Sequence, residues 1–355
     1  MTELVQIAIP QALDGPDAAL LSGILDVYSA ISLADLGNID HALPKTELAG
    51  MLLASKTHNR RLVAAVIDGE VVGWALVTMP LTDNLALAQI DIQVHPAHRR
   101  RGIGGELLEW AEGAAHAEGR TIFQTWGKVR PLSPNAPYVT APVGGDYPAD
   151  APLTGFLTKR GYALEQVDRG SRLTLPMDRD VFEALKADAE AGADGYQVHV
   201  WPAPVPEDWI DNFAALRSKV TSDAPSAGLE IEEEVWDAER LRIAWQKAAQ
   251  LGQRQLIVAA EHLATHRLVA FTLVLCNVRP QVAWQGYTFV VGDHRGHRLG
   301  LLVKTTMASE LASREPDVTR IYTENADENA PMLAINQAMG FVLDSLDGTF
   351  QKKIA

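Results

Sequence analysis

The chain has 355 residues, 47% of them hydrophobic, with 45 acidic against 31 basic side chains and a formal net charge of −14. That length exceeds what one core usually serves and predicts two domains, while the negative field excludes a general affinity for nucleic acid or anionic membrane. One cysteine, Cys276, excludes an internal disulfide; with no basic, apolar leader and no stretch approaching 18 uncharged apolar residues, a soluble, cytoplasmic protein is expected.

Leu4–Ile9 reads as a strand, and the spacing of Leu20, Leu21, Ile24, Leu25 and Tyr28 predicts a helix within Asp17–Leu36. Leu62–Ile67 and Val71–Met79 flank Asp68-Gly69-Glu70, a hairpin signal. Gln89–Val94 is a strand that runs into His98-Arg-Arg-Arg-Gly-Ile-Gly-Gly105, and Glu106–Glu118 presents Leu107, Leu108, Ala111, Ala114 and Ala115 on one helical side before Gly119 stops it. Thr121–Thr125 is a further strand. Gly127–Pro152, rich in Pro and Gly, is an inserted loop that is either functional or a tolerated surface insertion. Residues 176–192 form a short capped helix ending in a Gly-Ala-Asp-Gly tether.

Beyond that tether the pattern repeats. Gln89–Gly104 aligns without a gap on Gln285–Gly300, an offset of 196, with Gln, Val, His, Arg and the last Gly identical. Val71–Val77 pairs with Leu268–Val274, Leu4–Ile9 with Tyr196–Val200, Thr121–Thr125 with Arg320–Glu324, and Lys159–Tyr162 with Ala338–Phe341, always in the same order. A tandem duplication follows, each half an α/β unit with a mixed sheet. The predicted boundaries are 1–177 for the first domain, 178–195 for the linker helix and tether, and 196–355 for the second domain.

A strand that enters a glycine-rich turn and then a helix points backbone N–H groups and the positive end of the helix dipole into one concavity, which suits phosphate. Gly102 and Gly104 let the main chain approach an anion, and Arg99, Arg100 and Arg101 supply charge-assisted bonds. A P-loop would need Gly-Lys followed by Ser or Thr, and a dinucleotide fingerprint would need Gly-x-Gly-x-x-Gly near a first strand; neither fits.

Arg99-Arg-Arg-Gly-Ile-Gly104 after Val94-His-Pro96 resembles the signature of the GNAT superfamily of acetyl-CoA-dependent N-acetyltransferases, arranged in tandem as in actinobacterial mycothiol synthases. The resemblance covers nearly the whole chain. In the second half Arg295-Gly-His-Arg-Leu-Gly300 departs from the pattern, with Arg298 where the family has its middle glycine. The implied fold is two tandem GNAT-like domains, each a mixed, mostly antiparallel sheet flanked by helices. Acetyl-CoA is the implied cofactor, held in the first half by Ile92, Val94, Arg99, Arg100, Arg101, Gly102, Ile103 and Gly104. In the second half the implied contacts are Val290, Arg295, Gly296, His297, Arg298, Leu299 and Gly300, with Asn325 bonding the pantetheine arm and Asn329 at the next helix start. In the family the motif strand is bulged and splays from the next one; Ile92 and Val94, or Thr288 and Val290, would hold the bulge positions.

An alkyl amine with a pKa near ~10 needs a base before it attacks, and Asp91 is the only carboxylate on the first motif strand. Strand alternation puts it on the face opposite Ile92, so a catalytic and a structural role both stand. The family's thiolate-protonating tyrosine is absent: Leu157 and Asn336 hold its positions, leaving Tyr138, Tyr147 or release to solvent. His262 and His266 have helical metal spacing but sit where a hairpin connection is expected, and no metal is expected. Glu230–Glu234 reads as a solvated face, or less readily as a rim for a cationic amine; Trp201, Trp209, Trp236 and Trp245 read mostly as core, with an acceptor pocket as the alternative. The expected protein is an acetyl-CoA-dependent N-acetyltransferase acting on a small-molecule or peptide amine, monomeric or homodimeric. A catalytic second domain and a non-catalytic acyl-CoA-binding module are the rivals.

Overall fold

The computed structural model describes residues 2–9, 15–42, 44–52, 57–131, 133, 135–223, 234–276 and 279–354. The chain forms two compact units. The first contains residues 1–168 and, from the far end of the sequence, residues 345–355; the second contains residues 169–225 and 233–344. The sequence-based boundary keeps the last strand in the second domain, and the structure sends its larger part to the first unit.

In the first unit, β1 (Glu3–Ile7) is followed by α1 (Ala18–Ile31), a π-turn over Ser32–Leu36 and α2 (Lys45–Leu52). β2 (His58–Ile67) and β3 (Glu70–Pro80) then form the expected hairpin, with Asp68 at φ 51° and Gly69 at φ 85°, the left-handed pair that a two-residue turn needs. β4 (Leu87–Val94) leads through the arginine-glycine loop to α3 (Ile103–Ala117) and β5 (Ile122–Val129). The inserted segment folds into a small hairpin, β6 (Tyr138–Thr140) and β7 (Asp146–Pro148), before α4 (Pro152–Thr158) and β8 (Ala163–Thr174). β1 to β4 pair antiparallel in sequence order, β4 pairs parallel with β5, and β5 pairs antiparallel with residues Leu346–Lys353 of the chain's final strand.

Two apolar layers sandwich this sheet. On one face Ile103, Leu107, Leu108 and Ala111 of α3 meet Ala75, Val77, Ile90 and Phe123, joined by Leu346 and Phe350. On the other, Leu21, Ile24 and Val27 of α1 meet Leu62, Trp74 and Leu76. The segment Ala18–Leu36 has a mean hydropathy of 1.5 and is, among the described residues, the one helix long and apolar enough to cross a membrane by length and composition. Its apolar stripe is accounted for by the Trp74 layer, and Asp26 and Asp35 interrupt it.

The first helix of the second unit is α5 (Arg179–Ala191), the predicted linker helix, capped by Asp178, whose carboxylate accepts from Val181 N–H at 3.0 Å. β9 (Tyr196–Pro202), α6 (Glu207–Asp223), α7 (Ala238–Gln250), β10 (Arg254–His262) and β11 (Arg267–Cys276) follow. Then come β12 (Val282–Val290), α8 (Leu299–Arg314), β13 (Arg320–Ala326), α9 (Ala330–Ala338) and β14 (Val342–Lys353). β9 to β12 pair antiparallel, β12 pairs parallel with β13, and β13 neighbours β8, whose residues from Arg169 belong here and whose Leu173 enters this core. α8 and α5 cover one face; α6 and α7 cover the other through Phe213, Trp245, Phe271 and Phe289. His262 and His266 flank the β10–β11 turn, with His266 bonded through Nδ1 to Glu261 at 2.9 Å. Cys276 is buried, which pushes its thiol up to about 11.

Candidate active site

The register of β4 defines an opening in the first unit. Against β3 it runs unbroken from Thr78↔Gln89 to Gly73↔Val94, but against β5 it pairs only from Leu87↔Ile122 to Gln89↔Gln124. From Ile90 onward β4 therefore has a sheet partner on one side, and a split opens towards the arginine-glycine loop. The unbroken β3 register means that β4 carries no bulge, contrary to what the resemblance implies for Ile92 and Val94. The second unit does carry one: Gln285 faces Val274 and Tyr287 faces Leu273, so Gly286 is the extra residue, and β12–β13 pairing ends at Gln285↔Thr323.

Beyond the split, the loop enters α3 through two left-handed residues, Arg100 at φ 63° and Gly102 at φ 91°. The first helical donors with a backbone acceptor are Gly105 and Glu106, both to Gly102 O, which leaves the amides of Arg101 to Gly104 without one among the described residues. Nothing lies within 4 Å of where a Cβ on Gly102 would sit, so the concavity is open. The three arginines divide their work. Arg99 is bound in a fork to Asp35 of the π-turn at 2.8 and 2.6 Å, and its Nε donates to Val94 O at 3.2 Å, so it holds the loop and is not a free phosphate ligand. Arg100 and Arg101 are exposed and have no ion-pair partner among the described residues. Arg160 adds a third guanidinium over Phe156, 4.1 Å from the ring centre, with Nη1 donating to Phe156 O at 3.0 Å and Nη2 beside Gly105. From Gly102 and Gly105 an open groove of about 640 Å³ runs along α3 to Glu112, Lys352 and His116. The exposed arginines and unbonded amides at the loop end suit the phosphates of a chain such as CoA, whereas the groove beyond is lined by Glu106, Glu109 and Glu112 and does not extend that positive field.

Asp91 lies on the α1 face, opposite Ile92, as strand alternation predicts; it is 7% exposed and accepts from Gln93 Nε2 at 2.8 Å. Burial pushes its carboxyl up to about 6, and the Gln93 bond offsets part of this. On the same face Trp74, across from Gln93, keeps its indole N–H buried without an acceptor among the described residues. Tyr147, one of the candidate acids, is fully buried, donates its hydroxyl to Gly127 O at 2.9 Å and meets Phe350 edge-on at 5.7 Å; it is part of the core. Leu157 is likewise buried and Tyr138 is exposed on β6. The α4 hydroxyls, Thr154 and Thr158, donate to Pro148 O and Thr154 O.

The second unit repeats the loop with glycine and arginine exchanged: Gly296 at φ 87° and Arg298 at φ 56° occupy the two left-handed positions. Arg295 Nε donates to Val290 O at 3.3 Å, as Arg99 does to Val94 O. The Arg298 stem lies on Gly192 at the end of α5, with Nε 3.4 Å from Asp188. It is turned onto α5, while His297 is exposed and Leu299 and Gly300 begin α8 as buried residues.

Sequence reasoning missed a buried polar network under this second split. Lys304 of α8, 2% exposed, donates to Gln285 Oε1 at 2.5 Å and Asn336 Oδ1 at 2.6 Å, and lies over the Phe341 ring at 4.8 Å. Gln285 Nε2 donates to Thr272 Oγ1 at 2.8 Å, Thr272 Oγ1 is in turn bonded to Thr288 Oγ1 at 2.8 Å, and Asn336 donates to Asn325 Oδ1 at 2.6 Å. Asn325 is thus engaged by Asn336, and Asn329 caps α9 by accepting from Met332 N–H at 3.4 Å. Burial pulls the Lys304 amine down to about 7. A lone lysine within Leu299–Ala308, an otherwise uncharged helical run, was the signal available in the sequence.

The acetyltransferase (GNAT) family profile matches residues 29–132, which span the end of α1, the split and the loop. Residues 29–132 are a GNAT acetyltransferase domain. A mycothiol acetyltransferase from Amycolatopsis mediterranei (strain U-32) is 33% identical over 142 residues, 39% of this chain and 40% of that relative's length. The GNAT fold extends over both units. A tandem GNAT protein from the clavulanic acid biosynthesis pathway superposes with a TM-score of 0.75 at 23% identity, covering 99% of this chain and 98% of its own. A GCN5-related N-acetyltransferase from Sphaerobacter thermophilus gives 0.61 at 16% identity, covering 99% and 95%. Each half is thus a mixed, mostly antiparallel GNAT sheet flanked by helices.

Proposed function

We propose that the chain is an acetyl-CoA-dependent N-acetyltransferase that acylates a primary amine of a small molecule or peptide by direct attack in a ternary complex. The observation that carries this reading is the coincidence, in the first unit, of the β4–β5 split with a loop of unbonded amides and free arginines. Acetyl-CoA, when bound, supplies the acyl thioester. The amides of Arg101–Gly104 with Arg100, Arg101 and Arg160 hold phosphate there, and the unpaired edge of β4 receives the pantetheine arm. Asp91, whose carboxyl titrates near the working pH, takes a proton from the acceptor's ammonium on the α1 face and so frees the neutral amine that attacks, a task for which a base of that strength is suited. Leu157 offers no proton to the leaving thiol, so its proton comes from solvent.

The bulge at Gly286 and the Lys304–Asn336 pair favour a second reading, in which the second unit does the chemistry and the first retains a cofactor. Free-thiol release from acetyl-CoA with a panel of amines, run beside calorimetric binding, separates the possibilities. Asp91→Asn abolishing turnover with binding intact supports the first reading, and the same outcome for Lys304→Met supports the second. Tight CoA binding with no amine accelerating thiol release overturns both in favour of a binding module.

A further inference from the structure

On α6 of the second unit, Arg217 is half-buried and lies over two rings, its guanidinium carbon 3.8 Å from the centre of Tyr287 and 4.8 Å from that of Trp236. Ring faces stabilise the charge but accept none of its N–H groups, which all point outward in the guanidinium plane. No carboxylate stands within ion-pair distance of Arg217 among the described residues. The contrast is close at hand: Arg240 lies over the same Trp236 ring at 4.5 Å but is paired with Glu234 at 3.7 Å and donates to Val235 O at 2.8 Å.

The Trp236 ring and the Tyr287 backbone are held in place. Ser218 Oγ accepts from Trp236 N–H at 2.8 Å and donates to Trp236 O at 3.3 Å, and the indole N–H donates to Glu234 at 3.0 Å. Tyr287 is anchored through its carbonyl, which accepts from Thr272 Oγ1 at 3.0 Å. It remains 43% exposed, and Val235 beside Trp236 is 72% exposed, so the guanidinium edge sits at an open, apolar-walled surface. Tyr287 directly follows the Gly286 bulge, where the β12–β13 split begins. At the corresponding position of the first unit stands Asp91, which would repel an anion.

We propose that Arg217, clamped by Tyr287 and Trp236, is a recognition site for the carboxylate of a small ligand with an apolar body. A planar guanidinium with unused parallel N–H groups matches a carboxylate in a fork, and ring walls suit a carbon skeleton better than a hydrated phosphate. That the ligand is the acceptor, and hence an amino-carboxylate, rests on the acetyltransferase reading; the binding does not.

The test uses the full chain and matched probes: phenylalanine, leucine and glycine, each against its carboxamide, titrated at fixed salt and followed by tryptophan fluorescence and calorimetry. The expected result is that at least one carboxylate binds ten times or more tighter than its amide, that Arg217→Gln brings the ratio close to one without weakening the amide, and that Arg217→Lys retains part of it. No carboxylate binding, equal binding of acid and amide, or a ratio unchanged in Arg217→Gln at an unchanged melting temperature overturns the proposal. Thiol release from acetyl-CoA with the same probes is read separately: a carboxylate that binds through Arg217 without being acetylated leaves the site standing and counts against the acetyltransferase reading.

Discussion

Replacing Asp91 by asparagine keeps the shape of the side chain and the Gln93 bond while removing the ionisation. Burial moves this carboxyl from 3.8 to about 6, roughly two pH units, and each unit corresponds to about 1.4 kcal/mol. The sign follows from proton counts. Between pH 4 and pH 6 the folded chain holds a proton on Asp91 that the unfolded chain has lost, so the wild type loses stability as pH rises through this window. The loss sums to about 3 kcal/mol and is complete above pH 6 to 7, whereas Asp91→Asn has no such term. Urea unfolding of both proteins from pH 4 to pH 8 should show the variant gaining on the wild type by about that amount, with the gain confined to this interval. If Asp91 is also the base, kcat/KM of the wild type falls below an apparent pKa near 6. A stability difference that is flat with pH would refute the burial argument, and a rate limb that persists in a still-active Asp91→Asn would refute the catalytic one.

Gly102→Val places a β-branched residue at φ 91°, at a backbone cost of about 1–2 kcal/mol and with open space around its Cβ, and should weaken CoA binding at least tenfold by calorimetry while the chain stays folded. Phe350→Ala removes a fully buried ring and its edge-on contact with Tyr147, and should cost about 3–5 kcal/mol of first-unit stability in denaturant titration. Lys304→Met should gain on the wild type as pH falls from 10 to 7, because burial lowers the folded amine to about 7 and the wild type loses stability through that range; a difference constant with pH would mean the lysine is charged at no cost.

Much of the fold was legible because the duplication gives two readings of each element. The Asp68-Gly69 turn, the linker helix capped by Asp178 and the motif strand with its loop follow from local residue chemistry, and the structure has them where the sequence puts them. What was not legible is long-range. Arg99 looks like a phosphate ligand until Asp35, 64 positions away, is found in its fork. Tyr147 looks like a spare hydroxyl until the insertion folds it into the core. Alternation placed Asp91 on its face, but only the packed α1 layer shows how dry that face is. The bulge in β12 and the straight course of β4 depend on cross-strand register, which a pattern of apolar residues does not encode.

The last strand of the chain completes the first sheet, with Gln124 bonded to Gln351 across 227 positions. A ribosome adding 5–20 residues per second leaves β5 without that neighbour for roughly 10–45 s after it emerges. During this interval Phe123 lacks the Phe350 layer, and a row of strand amides and carbonyls faces solvent, ready to pair with any other extended segment. The same geometry makes proteolytic separation at the tether a poor way to obtain the first half: a fragment of residues 1–177 would carry an open β5 edge, and association through that edge is its natural fate.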